Sequence, residues 1–275
     1  MTQVDLNAWI GRTKSMEDAM DVGHAARIAA TLGGPAPDRG QPLSPLWHWC
    51  YFLEGAAMGE LGTDGHPARG GFLPPADNRN RMWAGSRVTF EGDLLVGVPA
   101  QKTLSVKDIV EKTGRTGSLL FVTVIHEVTQ DGRRVIHEEQ DIVYRAPSPP
   151  KLQGTDPAPQ AQWRMTVEPS SVWLFRYSAL TFNGHRIHYD FPYVTEQEGY
   201  PGLVVHGPLI ATSMVNSFCK AHPGSRVKHL AYRGLRPLIC PKPFVAAGSM
   251  VEDGLARVWA EQDGTLAHQG EIRFE

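Results

Sequence analysis

The tripeptide Gln-Asp-Gly occurs twice, at Gln130-Asp131-Gly132 and at Gln262-Asp263-Gly264, and each copy joins two runs suited to strands. An Asp-Gly pair in that setting favours a two-residue hairpin turn. Upstream of each hairpin stands a second match, Trp83-Ala84-Gly85-Ser86-Arg87 against Tyr232-Arg233-Gly234-Leu235-Arg236, followed by an apolar segment that ends at Gly97 or Gly248. The offsets between matched residues are unequal, as a longer hairpin in the first copy would make them. The repeated order predicts a duplicated fold. Each copy runs a helical or irregular segment and then a meander of antiparallel strands, which gives an α+β arrangement with a sheet wrapped on a central helix.

In the first copy, Ser15-Met16-Glu17-Asp18 reads as a helix start, with Ser15 as N-cap and acids in the first turn. The helix continues through Ala19, Val22, Ala26, Ile28, Ala29 and Leu32 and closes at Gly33-Gly34-Pro35. The proline-rich residues 35–45 are loop, and the aromatic run 46–53 is buried, with His48 a core histidine rather than a ligand. Residues 62–80 read as a long surface connection. Strands are expected at 87–90, 94–96, 106–112, 119–128 and 134–145. The prolines between 147 and 159 mark a linker, which divides the chain into an N-terminal unit 1–147, a linker 148–162 and a C-terminal unit 163–275.

The second copy carries what the first lacks. Residues 175–214 hold His185, His188 and His206 and lead into an apolar helix whose Leu209, Ile210, Met214, Val215 and Phe218 follow a 3.6-residue period. Such a segment would turn off a strand, present polar side chains at a cleft and enter a buried helix, or else be an aromatic-rich loop that happens to hold histidines. Pro208 suits the first helical turn and Gly207 permits close approach of a ligand. The free amides there could hold a developing oxyanion, or the same residues could serve only as a cap. His185 and His188 could share a metal, but no third ligand stands at clear spacing, so no metal site is expected.

Several classes drop out on composition. A formal net charge of -2 offers no field for nucleic acid. No apolar run approaches the length of a membrane span, and the N-terminus has no signal or transit character. Three scattered cysteines, Cys50, Cys219 and Cys240, fit neither a disulfide framework nor structural zinc and suit the cytoplasm.

Asn183-Gly184-His185-Arg186-Ile187-His188-Tyr189-Asp190, followed by Val204-Val205-His206-Gly207, resembles the signature of the MaoC-like hydratases, also called hydratase 2. Phe175-Arg176-Tyr177-Ser178-Ala179-Leu180-Thr181 and Arg81-Met82-Trp83-Ala84-Gly85 are similar to the mitochondrial 3-hydroxyacyl-thioester dehydratase branch and to the mesaconyl-C4-CoA hydratases. The resemblance implies a double hot-dog fold with the site in the C-terminal copy alone. It implies a hydro-lyase that adds or removes water across the 2,3 double bond of a CoA thioester, here a short branched dicarboxylyl-CoA such as mesaconyl-C4-CoA. His188 would be the base, Asn183 would place the water, and the Gly207 N–H would meet the enolate oxygen. Asn183 departs from the Asp of many members, and Asn cannot accept a proton, so His188 would act alone. Arg186 would meet a distal carboxylate or a CoA phosphate, or else be a structural or solvated arginine. No cofactor is required, and a homodimer or higher homo-oligomer stays open. Two other readings remain: a 3-hydroxyacyl-ACP dehydratase, which needs a long apolar tunnel, and a non-catalytic acyl-CoA-binding module.

Overall fold

The computed structural model describes residues 5–68, 70–76, 79–114 and 117–275. Among them run the strands β1 (Thr13–Asp18), β2 (Asn80–Phe90), β3 (Ala100–Gly114), β4 (Gly117–Gln130), β5 (Arg133–Arg145), β6 (Trp163–Val167), β7 (Val227–Gly234), β8 (Phe244–Glu252), β9 (Leu255–Gln262) and β10 (Thr265–Phe274). They form one sheet in the order β1-β3-β4-β5-β2-β7-β10-β9-β8-β6. Read outward from the central β2–β7 pair, the two halves repeat one strand order, as a duplication requires. Both Asp-Gly turns have positive φ at each residue, 50° and 72° at Asp131 and Gly132, 57° and 72° at Asp263 and Gly264. That backbone matches the right-handed twist of the strands on either side. At the junction, β2 and β7 pair antiparallel from Gly85 opposite Arg233 to Thr89 opposite His229. Gly85 is needed there, because a Cβ would overlap the Tyr232 carbonyl oxygen.

The chain folds four α-helices among the described residues: α1 (Val22–Leu32), α2 (Ser171–Leu180), α3 (Phe191–Glu196) and α4 (Gly207–Ala221). The predicted apolar helix is α4, and its Leu209, Ile210, Met214 and Phe218 pack in one core with Phe244, Ala256 and Val258 of the second half. This is the sheet wrapped on a helix that defines a hot dog. The first half differs in detail. Its helix α1 packs against α2, and its core is completed by Trp47, Cys50, Tyr51 and Phe52 around a 3₁₀ turn at Trp47–Cys50, together with Ile28, Val88 and Ile136. The expected pair of sheets is thus one continuous sheet with one full central helix.

Four local expectations fail. Ser15 caps no helix. It lies in β1, an edge strand paired to β3, with its Oγ bonded to Thr103 Oγ1 at 3.0 Å, and the N-cap of α1 is Asp21, which accepts from the His24 N–H at 2.7 Å. The acids that suggested a first turn are therefore on a strand, and the helical period starts only at Val22. Residues 94–96 are buried at Leu94 and Val96 but make only an isolated bridge from Leu95 to Pro42. The segment ahead of the histidines is helix α2, capped by Ser170 Oγ, rather than a strand. The connection at 62–80 is not simply surface, since residues 62–66 dock on the histidine segment; Arg69, Asp77 and Asn78 lie outside the described residues. His48 is buried at 2% exposure and its Nε2 lies 3.3 Å from Glu138 Oε2, as a core histidine. The three cysteines are free, and no helix among the described residues is long and apolar enough to cross a membrane.

Candidate active site

The loop between α2 and α3 is brought under the start of α4. His188 closes a short 3₁₀ turn at Arg186–His188, and its Nδ1–H donates to the Val204 carbonyl oxygen at 2.7 Å. A carbonyl can only accept, so the bond fixes the tautomer and leaves the Nε2 lone pair free. The ring is 7% exposed and faces a cavity of about 1700 Å³ that Asn183, His185, His206 and Gly207 also line. Burial, reinforced by His185, pushes the His188 pKa well below its ordinary value, so the imidazole is neutral at pH 7. Its far face stacks on His206, and His206 Nε2 is bonded to Ser178 Oγ of α2 at 2.8 Å. His206 is the N-cap residue of α4 but makes no side-chain cap, so it serves as packing beneath His188.

Asn183 starts the turn that carries the histidines. Its N–H donates to the Ser178 carbonyl at 2.8 Å and its Oδ1 accepts from the His185 N–H at 3.0 Å. The amide nitrogen of the side chain keeps its hydrogens for the cavity. His185 stands between His188 and His66, at ring-centroid separations of 5.4 and 4.1 Å. Burial first, then His66, lowers its pKa to about 2, with Arg81 adding to the effect. Asp64, His66 and His185 have ligand atoms within 4.8 Å of one another, a set able to take a divalent cation. Spacing could not reveal this third ligand, because the turn at 62–66 comes from the other half of the chain. That turn docks by backbone: the Arg186 N–H donates to the Asp64 carbonyl at 2.9 Å, and a Cβ on Gly65 would overlap the Gly184 carbonyl oxygen.

Arg186 is occupied. Its Nε and Nη2 reach Asp190 Oδ2 at 2.9 and 2.8 Å, its Nη1 donates to the Thr63 carbonyl at 3.0 Å, and its guanidinium lies 4.0 Å from the Tyr193 ring centre. It clamps the 62–66 turn to the histidine segment and does not belong to the cavity wall among the described residues. Arg81 of β2 does belong to the wall, and its guanidinium has no ion-pair or hydrogen-bond partner among the described residues. The Gly207 N–H, in the first turn of α4, likewise has no acceptor among them, as the first amides of a helix must lack one. The first half builds the opposite wall with Trp49 and Trp83, whose ring centres are 5.1 Å apart. Glu138 anchors this wall from behind: its carboxylate accepts from Trp49 Nε1 at 2.9 Å and Ser86 Oγ at 2.7 Å. Exposed Phe175, Phe182 and Tyr189 edge the cavity mouth.

Residues 46–240 match the family profile of hydroxyacyl-thioester dehydratase type 2. The chain belongs to the hydroxyacyl-thioester dehydratase type 2 family. It is 46% identical over 250 residues to mesaconyl-C(4)-CoA hydratase of Chloroflexus aurantiacus, covering 89% of each chain. It is 26% identical over 266 residues to the mitochondrial hydroxyacyl-thioester dehydratase type 2 of Schizosaccharomyces pombe, covering 83% of this chain and 87% of that one. The crystal structure of a MaoC-like dehydratase from Phytophthora capsici superposes with a TM-score of 0.76 at 13% identity, over 99% of this chain and 98% of that one. The double hot-dog fold and the hydratase/dehydratase class implied by the sequence motif therefore hold. Within this member of the hydroxyacyl-thioester dehydratase type 2 family, sequence reading missed Ser178, Asp64, His66 and the wall carried by Trp49 and Glu138. Only the Arg81-Met82-Trp83 string gave a signal that the first half contributes.

Proposed function

We propose that the chain adds water across, or removes it to form, the 2,3 double bond of a short branched dicarboxylyl-CoA such as mesaconyl-C4-CoA. The observation that carries the reading is the His188 Nδ1–H to Val204 bond, which leaves a neutral, buried Nε2 lone pair on the same cavity as the unpaired Gly207 N–H. In the hydration direction Nε2 takes a proton from water as the water oxygen bonds to C3. The π electrons move onto the thioester oxygen, which the Gly207 N–H and the positive end of α4 stabilise. The proton on Nε2 then passes to C2 as the enolate collapses, so one water is added and His188 is regenerated. Asn183 orients the water through its side-chain N–H and transfers no proton.

Two features support an anionic acyl group and a CoA carrier. Arg81, rather than Arg186, supplies an unpaired cation inside the wall for a free carboxylate. The cavity exceeds the size of a pocket for a compact ligand and has an aromatic mouth suited to a long pantetheine arm. Three free cysteines fit work in a reducing cytoplasm. The test is to follow the conjugated thioester absorbance of mesaconyl-C4-CoA and of crotonyl-CoA with the purified protein. Loss of absorbance, faster with the dicarboxylyl substrate, is expected, and no loss with either would sink the reading.

A further inference from the structure

A fourth histidine reaches the cavity from the sheet. In pairing with β9, strand β10 shifts register between Leu266 and His268, so Ala267 is an extra residue. Its carbonyl accepts from the N–H groups of Leu235 at 2.8 Å and Arg236 at 3.1 Å, which pins the bulge. Bulges of this kind re-aim a side chain. Here the imidazole of His268 is turned over Gly234, its partner in β7. A Cβ on Gly234 would come to 3.1 Å from His268 Cε1, so the glycine keeps the ring's space open. A Cβ on Gly207 would lie 3.9 Å from the same Cε1 atom, which puts the ring beside the first residue of α4. His268 is 6% exposed, lines the cavity, and has a buried Nδ1 with no partner.

An unpaired buried donor is the rarer and costlier defect, so the tautomer that leaves Nδ1 as an unpaired acceptor places the hydrogen on Nε2. Nε2 has no partner among the described residues and is absent from the fully enclosed unpaired atoms. A leucine would fill the space without leaving any polar atom unpaired. A purely structural role therefore gives no reason for an imidazole at the end of a pinned bulge.

We infer that His268 Nε2–H is a second hydrogen-bond donor to the thioester oxygen, paired with the Gly207 N–H. The inference rests on the proposed hydration reaction and deepens it by completing the oxyanion site. Burial first, and then Arg236, lowers the His268 pKa to about 4, so at neutral pH the ring is an uncharged donor that keeps its single N–H hydrogen. Donors from a helix end and from a bulged strand, held before substrate arrives, are the preorganised arrangement that stabilises an enolate.

The test compares His268→Leu, which removes the donor, with His268→Gln, whose amide nitrogen stands near the Nε2 position. Each is assayed for turnover and for the absorbance of bound 4-dimethylaminocinnamoyl-CoA, which shifts to the red when its thioester oxygen accepts hydrogen bonds. His268→Leu is expected to lower kcat by roughly 10²–10³-fold with KM little changed, and to lose much of the red shift. His268→Gln should recover part of both. An unaltered red shift in His268→Leu, or no red shift in the wild-type protein, overturns the inference. Because the shift is read on bound probe, it separates loss of the donor from loss of the fold. Wild-type protein inactive on every enoyl-CoA would sink the hydration reaction itself, whereas active wild type with His268→Leu within threefold of it would sink only the role of His268.

Discussion

The imidazoles of His188 and His206 lie face to face, their centroids 3.6 Å apart and their planes 17° from parallel. Burial, and then His185, lowers the pKa of His188, while burial, and then His188, lowers that of His206. A base already neutral well below pH 6.5 should give a rate that is flat through neutrality. The acid limb of kcat/KM is expected below pH 6.5, and a limb at pH 7 or above would contradict the assignment.

Replacing His188 by Asn tests the base without disturbing its anchor, because the Asn amide can still donate to the Val204 carbonyl. We expect kcat to fall about 10²–10⁴-fold while the thermal midpoint changes little. Turnover near the wild-type level would move the base elsewhere.

The buried imidazoles also make stability depend on pH. Burial holds His126 to about 3 and His268 to about 4, against about 6.5 in an unfolded chain. The unfolded chain therefore binds protons that the folded one refuses, and stability, complete above about pH 6.5, falls as the pH drops toward the folded values. At pH 5 each of these two groups costs about 2 kcal/mol relative to pH 8. A further loss, from the low-lying carboxyls of Glu138 and Asp64, begins below about pH 4.5. Urea midpoints should decline from pH 8 through 6 to 5; a midpoint that holds or rises would refute this.

Glu138 is 1% exposed and receives hydrogen bonds from Ser86 and Trp49, with His48 Nε2 at 3.3 Å. Burial opposes its charge, but these donors and the neighbouring histidines hold it below the usual carboxylate range. Glu138→Leu leaves buried Ser86 and His48 and half-buried Trp49 without their acceptor and should destabilise by about 3–5 kcal/mol in urea unfolding. Trp49 would lose its tether, so KM should rise as well. An unchanged unfolding midpoint would show that the cluster contributes nothing.

Gly65 has φ +85° and lies against the Gly184 backbone. Gly65→Ala should cost about 1–3 kcal/mol and lower kcat, since the turn that seats His66 beside His185 must shift. Gly132, also at positive φ but with open space around it, is the control: Gly132→Ala should lower stability alone.

The two hairpins and α4 were legible because their signals are local: a turn dipeptide demanding positive φ, and an apolar period beginning at a Gly-Pro start. Strands β1 and β6 were not. Both are edge strands at opposite ends of the sheet and half exposed; β1 is built from residues such as Lys14 and Ser15 whose pattern carries no apolar alternation, and β6 alternates at Trp163, Met165 and Val167 but is only five residues long. At the site, His188, Asn183 and Gly207 could be picked out because one short segment carries them. Asp64 and His66 arrive from the other half of the chain, and His268 owes its aim to a register shift, which depends on the partner strand as much as on its own residues. For Arg186 the motif left a ligand group and a structural arginine both open, because its ion pair with Asp190 depends on the turn that carries the two residues.

The β2–β7 junction joins the wall bearing Arg81 and Trp49 to the half bearing the histidines in one polypeptide. In an assembly of identical chains every substitution is made at each symmetry-related place at once. Here a change on one side of the cleft has no twin on the other. Under the proposed hydration, the wall bearing Arg81 can therefore drift toward a new carboxylate or a longer tail while the side bearing the histidines stays fixed, and a single gene can retune what enters the cleft without touching what happens there.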